Sequence, residues 1–383
     1  MISNAIIYRI APLWPADLPA IEESLAKAPF IECGATQERS IGFVPPRGEE
    51  CGALVEAIGG QWIARFKTET KAIPAEVLAR KVAEKAERIE QETGRKPGKK
   101  ECRELKDEAK LDLLPMAFPK QASTWVWIDP AARTLVIDAS SQSRADMIVS
   151  ALVDLLPGLS VSLLNTQSSP QARMAHWLSE QEPPDGFTVD RECELKASDE
   201  SKAVVKYGRH PLDIAEVQQH IQQGKLPTKL ALTWDDRVSF VMTDGLVLKK
   251  IAFLDTVFED TKADEGGFDA DVVIMAGELC NLIPDLIKAL GGEPVEGIGT
   301  TAAHVDGVPT DPYHNGQGEP DPMYQQAVDL VRGPNGKASI SYVQRLLRIG
   351  YNRAARLLED MEKAGIVSRM GPSGERTVIA PAS

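Results

Sequence analysis

The feature that most restricts the fold is a pair of short amphipathic helices predicted in residues 338–367, near the C-terminus. Ser339 or Ser341 can cap the first helix, because a hydroxyl oxygen accepts a free backbone N–H of the first turn. Gly350 ends that helix, since glycine enters the left-handed region at little cost, and a second helix follows over residues 352–363. Both helices have apolar residues at helical spacing. These are Val343, Leu346 and Leu347 in the first helix and Ala355, Leu358 and Met361 in the second.

Two short helices joined by a tight glycine turn are typical of a helix-turn-helix. After the second helix, Ile366-Val-Ser and Thr377-Val-Ile-Ala380 flank the turn segment Gly371-Pro-Ser-Gly. Apolar runs on both sides of a Gly/Pro turn predict a β-hairpin. The C-terminal region is therefore predicted to be a small winged helix.

One face of the second helix has side chains that suit base recognition. Asn352, Arg356 and Glu359 are four and then three residues apart, so they share a face that is distinct from the apolar one. In a major groove Asn pairs with adenine, Arg pairs with guanine, and Glu accepts from cytosine N4. Arg353 and Arg348 lie beside that face and are predicted to contact phosphates.

Three short segments connect this region to a known family. They are Asp321-Pro-Met-Tyr, Ala338-Ser-Ile-Ser-Tyr-Val-Gln-Arg and Arg348-Ile-Gly-Tyr-Asn-Arg-Ala-Ala-Arg. With them, residues 321–381 resemble the gamma domain of the DNA translocase FtsK. The resemblance implies a winged helix that reads short, G-rich polarity sequences, with base-reading positions at Asn352, Arg356 and Glu359. The sequence contains no G-x-x-x-x-G-K-[ST] phosphate loop, so the translocase motor is not expected.

The distribution of charge restricts where else DNA could bind. The 383 residues have a net charge of −13. Residues 321–383 contain 9 Lys and Arg against 6 Asp and Glu, a net charge of +3, which leaves 34 against 50, or −16, for residues 1–320. Net acidity does not exclude DNA binding, because only basic groups near the phosphates release counterions. A second DNA site is therefore expected to be a confined patch or channel. Arg332 and Lys337 are interpreted as solvated surface residues.

The sequence predicts no membrane span, cofactor or metal site. It has no apolar run of about 20 residues, and Met1-Ile-Ser-Asn-Ala lacks the basic and apolar pattern of a signal peptide. The five cysteines and five histidines are dispersed, without a Cys-x-x-Cys pair. We therefore expect reduced thiols and a cytoplasmic location.

The rest of the chain predicts a mixed α+β fold, with mixed sheets and projecting helices. Strand-like and helix-like segments alternate without the regular βαβ rhythm of a doubly wound sheet. Residues 74–93 and 100–114 predict two charged helices that form a helical hairpin. The basic loop 94–100 at its tip is a candidate DNA contact, although a solvated loop is the more common outcome. Phe118 follows, between Pro115 and Pro119, and is either core or a side chain that inserts into a partner.

A second hairpin is predicted between residues 224 and 242, with its turn at Trp234-Asp-Asp-Arg237. Lys225 and Lys229 are four apart on the first of its strands, which predicts that they lie on the same face. Arg209 precedes a helix predicted within residues 210–223.

Residues 1–293 also resemble a known family. The segments that connect them are Gly42-Phe-Val-Pro-Pro, Leu113-Leu-Pro-Met-Ala-Phe, Trp127-Ile-Asp, Gly224-Lys-x-x-Thr-Lys-Leu-Ala-Leu-x-Trp, and Phe268-Asp-Ala-Asp with Gly277-Glu-Leu. They are similar to the RdgC family of recombination-associated, nucleoid-bound proteins. The resemblance implies two horseshoe-shaped subunits that close into a homodimeric ring around duplex DNA, without sequence preference. It also implies restraint of RecA-driven strand exchange, because the ring occupies DNA that RecA would use.

The resemblance also implies roles for particular residues. Phe118 matches an aromatic residue at a subunit contact, Lys225 matches a channel lysine, and Arg209 matches another basic position. Lys229 and Lys120 are added as DNA contacts from their charge and strand phase. Contacts from Lys and Arg to phosphates predict non-specific, salt-sensitive binding.

Residues 294–320 are rich in Gly, Pro, Thr and Asp and predict a flexible linker. The chain is thus divided into residues 1–293, the linker 294–320, and the winged helix 321–383.

Two other function classes remain open. A nuclease would need clustered carboxylates for metal ions, and the pairs available are Asp235 with Asp236 and Asp269 with Asp271. A winged-helix transcription regulator is the stronger alternative. We predict no catalytic residue.

Overall fold

The computed structural model describes residues 2–49, 51–199, 202–259, 267–294, 321–333, 336–347, 349, 351–369 and 376–379. The predicted linker, Arg348 and the tip of the predicted wing lie outside the described residues. The chain divides into two compact units. The first comprises Met1–Ala16, Ala57–Trp62 and Val126–Ser383, and the second comprises Asp17–Glu56 and Ile63–Trp125.

Twelve strands and eleven α-helices in the described residues confirm the predicted α+β class. The strands are β1 (Asn4–Ile10), β2 (Arg39–Val44), β3 (Val55–Ile58), β4 (Gln61–Lys71), β5 (Pro119–Asp129), β6 (Thr134–Ile137), β7 (Val161–Leu163), β8 (Phe187–Ala197), β9 (Val204–Gly208), β10 (Lys225–Trp234), β11 (Val238–Thr243) and β12 (Leu248–Phe253). The helices are α1 (Leu18–Leu25), α2 (Ala75–Thr93), α3 (Lys99–Leu113), α4 (Gln142–Leu155), α5 (Pro170–Glu180), α6 (Ala215–Gln222), α7 (Asp255–Glu259), α8 (Phe268–Ala289), α9 (Tyr324–Arg332), α10 (Ile340–Leu347) and α11 (Tyr351–Lys363).

Strand order in the first unit is β6, β1, β12, β11, β10, β8 and β9, with β7 also paired to β1. The pairings of β1 with β6, β7 and β12 are antiparallel, as are those from β12 through to β9. In the second unit β2, β4 and β5 are neighbours in that order. Antiparallel sheets often have one face packed and one face polar. The candidate site lies on the polar face of this sheet.

The strands from β8 to β12 bury one face. α5 and α6 pack against β10, and Gln171 of α5 donates to the Pro227 carbonyl at 3.3 Å. The buried side chains on this face alternate along each strand, as the period of two requires. They are Leu195 from β8, Leu230 and Leu232 from β10, and Phe240 and Met242 from β11. The intervening side chains point the other way and are largely polar.

The predicted helical hairpin is confirmed by α2 and α3, which pack against each other. Only Leu105 and Ala109 of α3 are buried, and no residue of α2 is. Lys85 of α2 lies 3.0 Å from Glu108 and 2.8 Å from Asp112 of α3. In the loop between the helices, Arg95 pairs with Glu101 at 2.6 Å, which offsets part of the basic charge there.

Gly42 of β2 has a packing reason for being glycine. A Cβ atom at this position would lie 2.5 Å from the backbone of Phe30 and 2.7 Å from that of Pro29. Such distances are well inside van der Waals contact, so any side chain would force the two segments apart. The Gly42-Phe-Val-Pro-Pro segment therefore reflects a close approach of two backbones within the second unit.

The predicted helix-turn-helix is confirmed by α10 and α11, and α9 packs against both. Ser339 is the cap, since its Oγ accepts from the backbone N–H of Tyr342 at 3.2 Å. Val367 and Val378 form an antiparallel bridge at the base of the predicted wing. The prediction that Leu346 lies on the apolar side of the first helix is wrong, because Leu346 is exposed. The predicted Val343 is buried, and Ile340 and Gln344 complete the buried face of α10, since Val343 and Gln344 follow Ile340 by three and four residues.

Candidate nucleic-acid interface

The polar face of the sheet brings lysines and glutamates from neighbouring strands together. Lys206 of β9 is directly opposite Glu194 of β8, and Glu194 is directly opposite Lys229 of β10. Directly opposite residues of an antiparallel pair point to the same side. These three side chains therefore form a line across three strands, on the face that α5 and α6 leave uncovered.

Glu194 binds both of these lysines. Its carboxylate oxygen Oε2 accepts from Lys229 Nζ at 2.8 Å and lies 3.2 Å from Lys206 Nζ. Its other oxygen accepts from the Thr228 hydroxyl at 3.0 Å. The hydrogen bond from Lys229 is the largest of the effects that hold the pKa of Glu194 at about 2. At neutral pH the group is therefore an ionised carboxylate between two ammonium groups.

A second pair lies on the same face. Lys250 of β12 donates to both carboxylate oxygens of Glu192, at 2.8 and 2.9 Å. Both residues line a shallow depression together with Arg191 and Arg209. We refer to the three lysines and two glutamates as the lysine–glutamate cluster. Its members are Lys206, Lys229, Lys250, Glu192 and Glu194.

The structure therefore places two of the predicted DNA-contact residues, Arg209 and Lys229, on one face. Arg209 is exposed and follows β9 directly, with a left-handed φ of 56°. Sequence reasoning missed Lys206, Lys250 and the glutamates. A signal was present, because charged residues alternate with apolar ones in Glu192-Cys-Glu-Leu-Lys196.

The prediction that Lys225 and Lys229 share a face is wrong. In the pairing of β10 with β8, Pro227 is opposite Leu195 and Lys229 is opposite Glu194, so Thr228 is an extra residue. One inserted residue reverses which face every later side chain occupies. Lys225 consequently lies on the face covered by α6, where its Nζ is 2.9 Å from His220 Nδ1.

In the second unit, Phe118 and Lys120 are both exposed. The interpretation of Phe118 as core is wrong, since its side chain is 89% exposed. The 3-10 turn Leu114–Met116 buries Leu114 instead and ends two residues before Phe118. A large apolar side chain is thus presented to solvent at the start of β5.

In the winged helix, α11 buries Leu357, Leu358 and Met361. Arg356 is partly exposed and Glu359 is exposed, as expected for a face distinct from the apolar one. The backbone of Asn352 lies in α11, and its side chain is outside the described residues, as is Arg348.

Arg353 makes a different contact from the one predicted. Its guanidinium donates to both carboxylate oxygens of Asp321, each at 2.8 Å, and this pair connects α11 to the segment before α9. Asp321 also accepts from the backbone N–H of Met323 at 2.8 Å. The hydrogen bond from Arg353 is the main reason that the pKa of Asp321 lies below its ordinary value.

We predict that Asp321→Asn destabilises the winged helix by about 1 to 3 kcal/mol, because a charge-assisted pair is lost from a largely enclosed site. Hydrogen exchange of α9 and α11 in the full-length protein measures this. A depressed pKa in the folded state means that the stabilisation is present above the ordinary value of 3.8 and is lost as the pH falls through the folded value. Asp360→Asn is the control, since its pair with Lys363 is exposed and contributes little. Equal exchange in the two variants would contradict the prediction.

The carboxylate pairs considered for a nuclease have structural explanations. Asp235 and Asp236 form the turn between β10 and β11, with φ values of 47° and 50°, which Asp tolerates better than most residues. Asp269 and Asp271 lie in the first turn of α8, where negative side chains interact favourably with the positive end of the helix dipole. Within the described part of the chain, no three His, Cys, Asp or Glu residues are grouped as a metal site would need.

Among the described helices, none has the length and apolarity of a membrane span.

Comparison with known proteins gives the family. Residues 1–293 match the family model described as "Putative exonuclease, RdgC". The recombination-associated protein RdgC of Dechloromonas aromatica is 42% identical over 301 residues, which cover 76% of this chain and 98% of that protein. The protein of the same name from Cupriavidus pinatubonensis is 43% identical over 294 residues, with coverage of 76% and 98%. The chain belongs to the RdgC family.

The match to the RdgC family ends at residue 293, and a second family model follows it. Residues 318–381 match the FtsK gamma domain. Both resemblances read from the sequence are therefore confirmed. This RdgC-family chain differs from the two relatives in extent, because their matches cover nearly all of each relative but leave about a quarter of this chain unmatched.

Proposed function

We propose that this RdgC-family chain is a non-enzymatic DNA-binding protein that acts in recombination. In this proposal residues 1–293 bind duplex DNA largely without sequence preference. Residues 321–383 add sequence-directed binding, and residues 294–320 are the linker between them. Two tethered DNA contacts raise overall affinity through effective concentration when the linker spans both sites.

The observation that best supports the first contact is the polar sheet face. It presents Lys206 and Lys229 on β9 and β10, the two strands paired with β8, whereas Lys250 and Arg209 line one depression on this face. The chain as a whole is acidic, with a net charge of −13, so a local group of cations is informative. Such groups contact phosphates and carry no base information. Lys120 and Lys225 remain predicted DNA contacts at other places.

We further propose that two horseshoe-shaped subunits close into a ring around the duplex, with Phe118 at a contact between them. An 89% exposed Phe next to exposed Met116 supports this, because large apolar side chains in solvent often mark protein contacts. A ring that occupies duplex DNA would limit the access of RecA to it. The protein would then act at the nucleoid in the cytoplasm.

The description of the matching family model includes an exonuclease, whereas the relatives are named for recombination. We favour binding without cleavage because the two carboxylate pairs that a nuclease could use have structural roles. Asp235 and Asp236 form a turn, and Asp269 and Asp271 begin a helix. Incubation of purified full-length protein with plasmid DNA and Mg²⁺ or Mn²⁺ tests this directly. Cleavage that tracks with the protein through purification would overturn the non-enzymatic part of the proposal.

The experiment for the whole proposal compares random duplex with duplex containing G-rich octamers, over a salt series, using full-length protein and Arg356→Ala. We expect wild-type protein to bind both and to prefer the octamer. Arg356→Ala should lose about 1 to 3 kcal/mol of that preference, because a bidentate contact to guanine is removed, while its binding to random duplex is retained.

Arg332→Ala is the matched control, since Arg332 ends α9 and is exposed, and it should leave the preference intact. Equal loss in both variants would mean that charge alone sets the preference. A single discrete operator footprint on chromosomal DNA would instead favour a winged-helix transcription regulator. Failure of wild-type protein to bind random duplex would contradict the proposed role of residues 1–293.

A further inference from the structure

We infer that Glu192 and Glu194 are built-in competitors of DNA phosphates, which weaken duplex binding by occupying the lysines of the lysine–glutamate cluster. This inference rests on the proposed DNA binding by the same sheet face. It assigns a role to two carboxylates that a simple basic patch would not contain. Phosphate and carboxylate oxygens accept the same hydrogen bonds from an ammonium group, so they compete for it directly.

The geometry of Glu194 fits this role. One carboxylate oxygen binds two ammonium groups, from Lys229 at 2.8 Å and Lys206 at 3.2 Å. The two lysines come from the strands on either side of β8, so the glutamate lies between them. The side chain of Glu194 is 18% exposed, whereas that of Lys206 is 70% exposed. A phosphate can therefore reach the lysine from solvent while the carboxylate stays underneath.

Glu192 binds one lysine, Lys250, and the two side chains are 45% and 67% exposed. The three lysines and two glutamates together have a net charge of +1 in place of +3. Only charge near the phosphates releases counterions. The glutamates also repel phosphates that approach within a few ångströms, and this repulsion is weakly screened at such a distance. Both effects lower affinity without removing any lysine.

A purely structural role predicts the opposite result. If Glu194 merely held Lys206 and Lys229 in position, its loss would scatter the two lysines and weaken binding. Glutamine separates the two roles, because its carbonyl oxygen can still accept from Lys229 or Thr228 while its charge is gone. The same substitution is available at Glu192.

The test is binding of full-length Glu192→Gln/Glu194→Gln to random duplex over a salt series. We expect affinity to rise roughly tenfold for each carboxylate at about 0.1 M salt, and the slope of log K against log salt to steepen by about 1 for each, as if each freed one phosphate contact. Glu180→Gln/Glu182→Gln is the control. It changes net charge by the same amount at exposed positions at and just beyond the end of α5, and it should have a much smaller effect.

Unchanged or weaker binding by Glu192→Gln/Glu194→Gln would overturn the inference, provided that its thermal unfolding matches wild type. Equal strengthening by the control pair would also overturn it, because net charge would then suffice. If wild-type protein does not bind random duplex at all, the proposed function fails instead. The two failures are therefore distinguishable in one experiment.

Discussion

Full-length protein with Lys206, Lys229 and Lys250 all changed to Gln should bind random duplex roughly 10² to 10³-fold more weakly than wild type at about 0.1 M salt. Each phosphate contact contributes about 0.9 to the slope of log K against log salt. Because Glu192 and Glu194 already offset two of the three lysine charges in wild type, the slope should become shallower by roughly 1. The substitutions also leave Glu192 and Glu194 without these lysine partners, which adds repulsion on the same face. Fluorescence anisotropy with labelled random duplex over a salt series measures both quantities.

The control for this prediction changes three other lysines to Gln, namely Lys27, Lys81 and Lys288. Lys27 and Lys81 lie in the second unit and Lys288 lies in the last turn of α8, all outside the polar sheet face. If both triple variants lose affinity and slope to the same extent, binding depends on overall charge and the face has no special role. The triple variant of the face is expected to fold normally, because its lysines are at least partly exposed.

The local elements were largely predictable from the sequence, and their long-range arrangement was not. The turn at Asp235 and Asp236 was predicted because short polar residues between apolar runs favour hairpins. The helical hairpin was predicted from long charged segments with a narrow apolar stripe. The spacing of apolar residues does not indicate which distant strands pair. The position of β1 between β6 and β12 is therefore known only from the structure. Short β3 and β9 were missed for lack of a full alternating run.

In the candidate site, one extra residue, Thr228, makes the prediction of a shared face wrong although the strand itself was predicted. Lys225 and Lys229 lie on one strand, as expected, yet the extra residue Thr228 places them on opposite faces. The prediction assumed an unbroken period of two and overlooked Pro227, because proline inside a central strand is largely confined to bulges. Arg353 is similar, because its charge suggested phosphates, whereas its partner Asp321 is 32 residues away in sequence. Side-chain partners across such distances are decided by tertiary packing.

Phe118→Glu is expected to weaken self-association by at least 30-fold, because aromatic residues at the centre of an interface contribute about 2 kcal/mol or more. The substitution places a charge where a partner subunit would have to desolvate it. Sedimentation velocity over a range of protein concentrations measures the change. The folded subunit should be unaffected, since an 89% exposed side chain makes few internal contacts, and thermal unfolding checks this.

Leu13→Glu is the matched control, because Leu13 is 77% exposed and lies in the first unit. It tests whether any charge on an exposed apolar residue dissociates the protein, and it should leave self-association intact. The ring proposal also requires a second result from Phe118→Glu. A closed ring is retained on circular DNA and leaves linear DNA through its ends, so the variant should dissociate from both at similar rates while wild type leaves circular DNA more slowly. Equal rates for wild type would contradict encirclement, even if Phe118 proves to be a subunit contact.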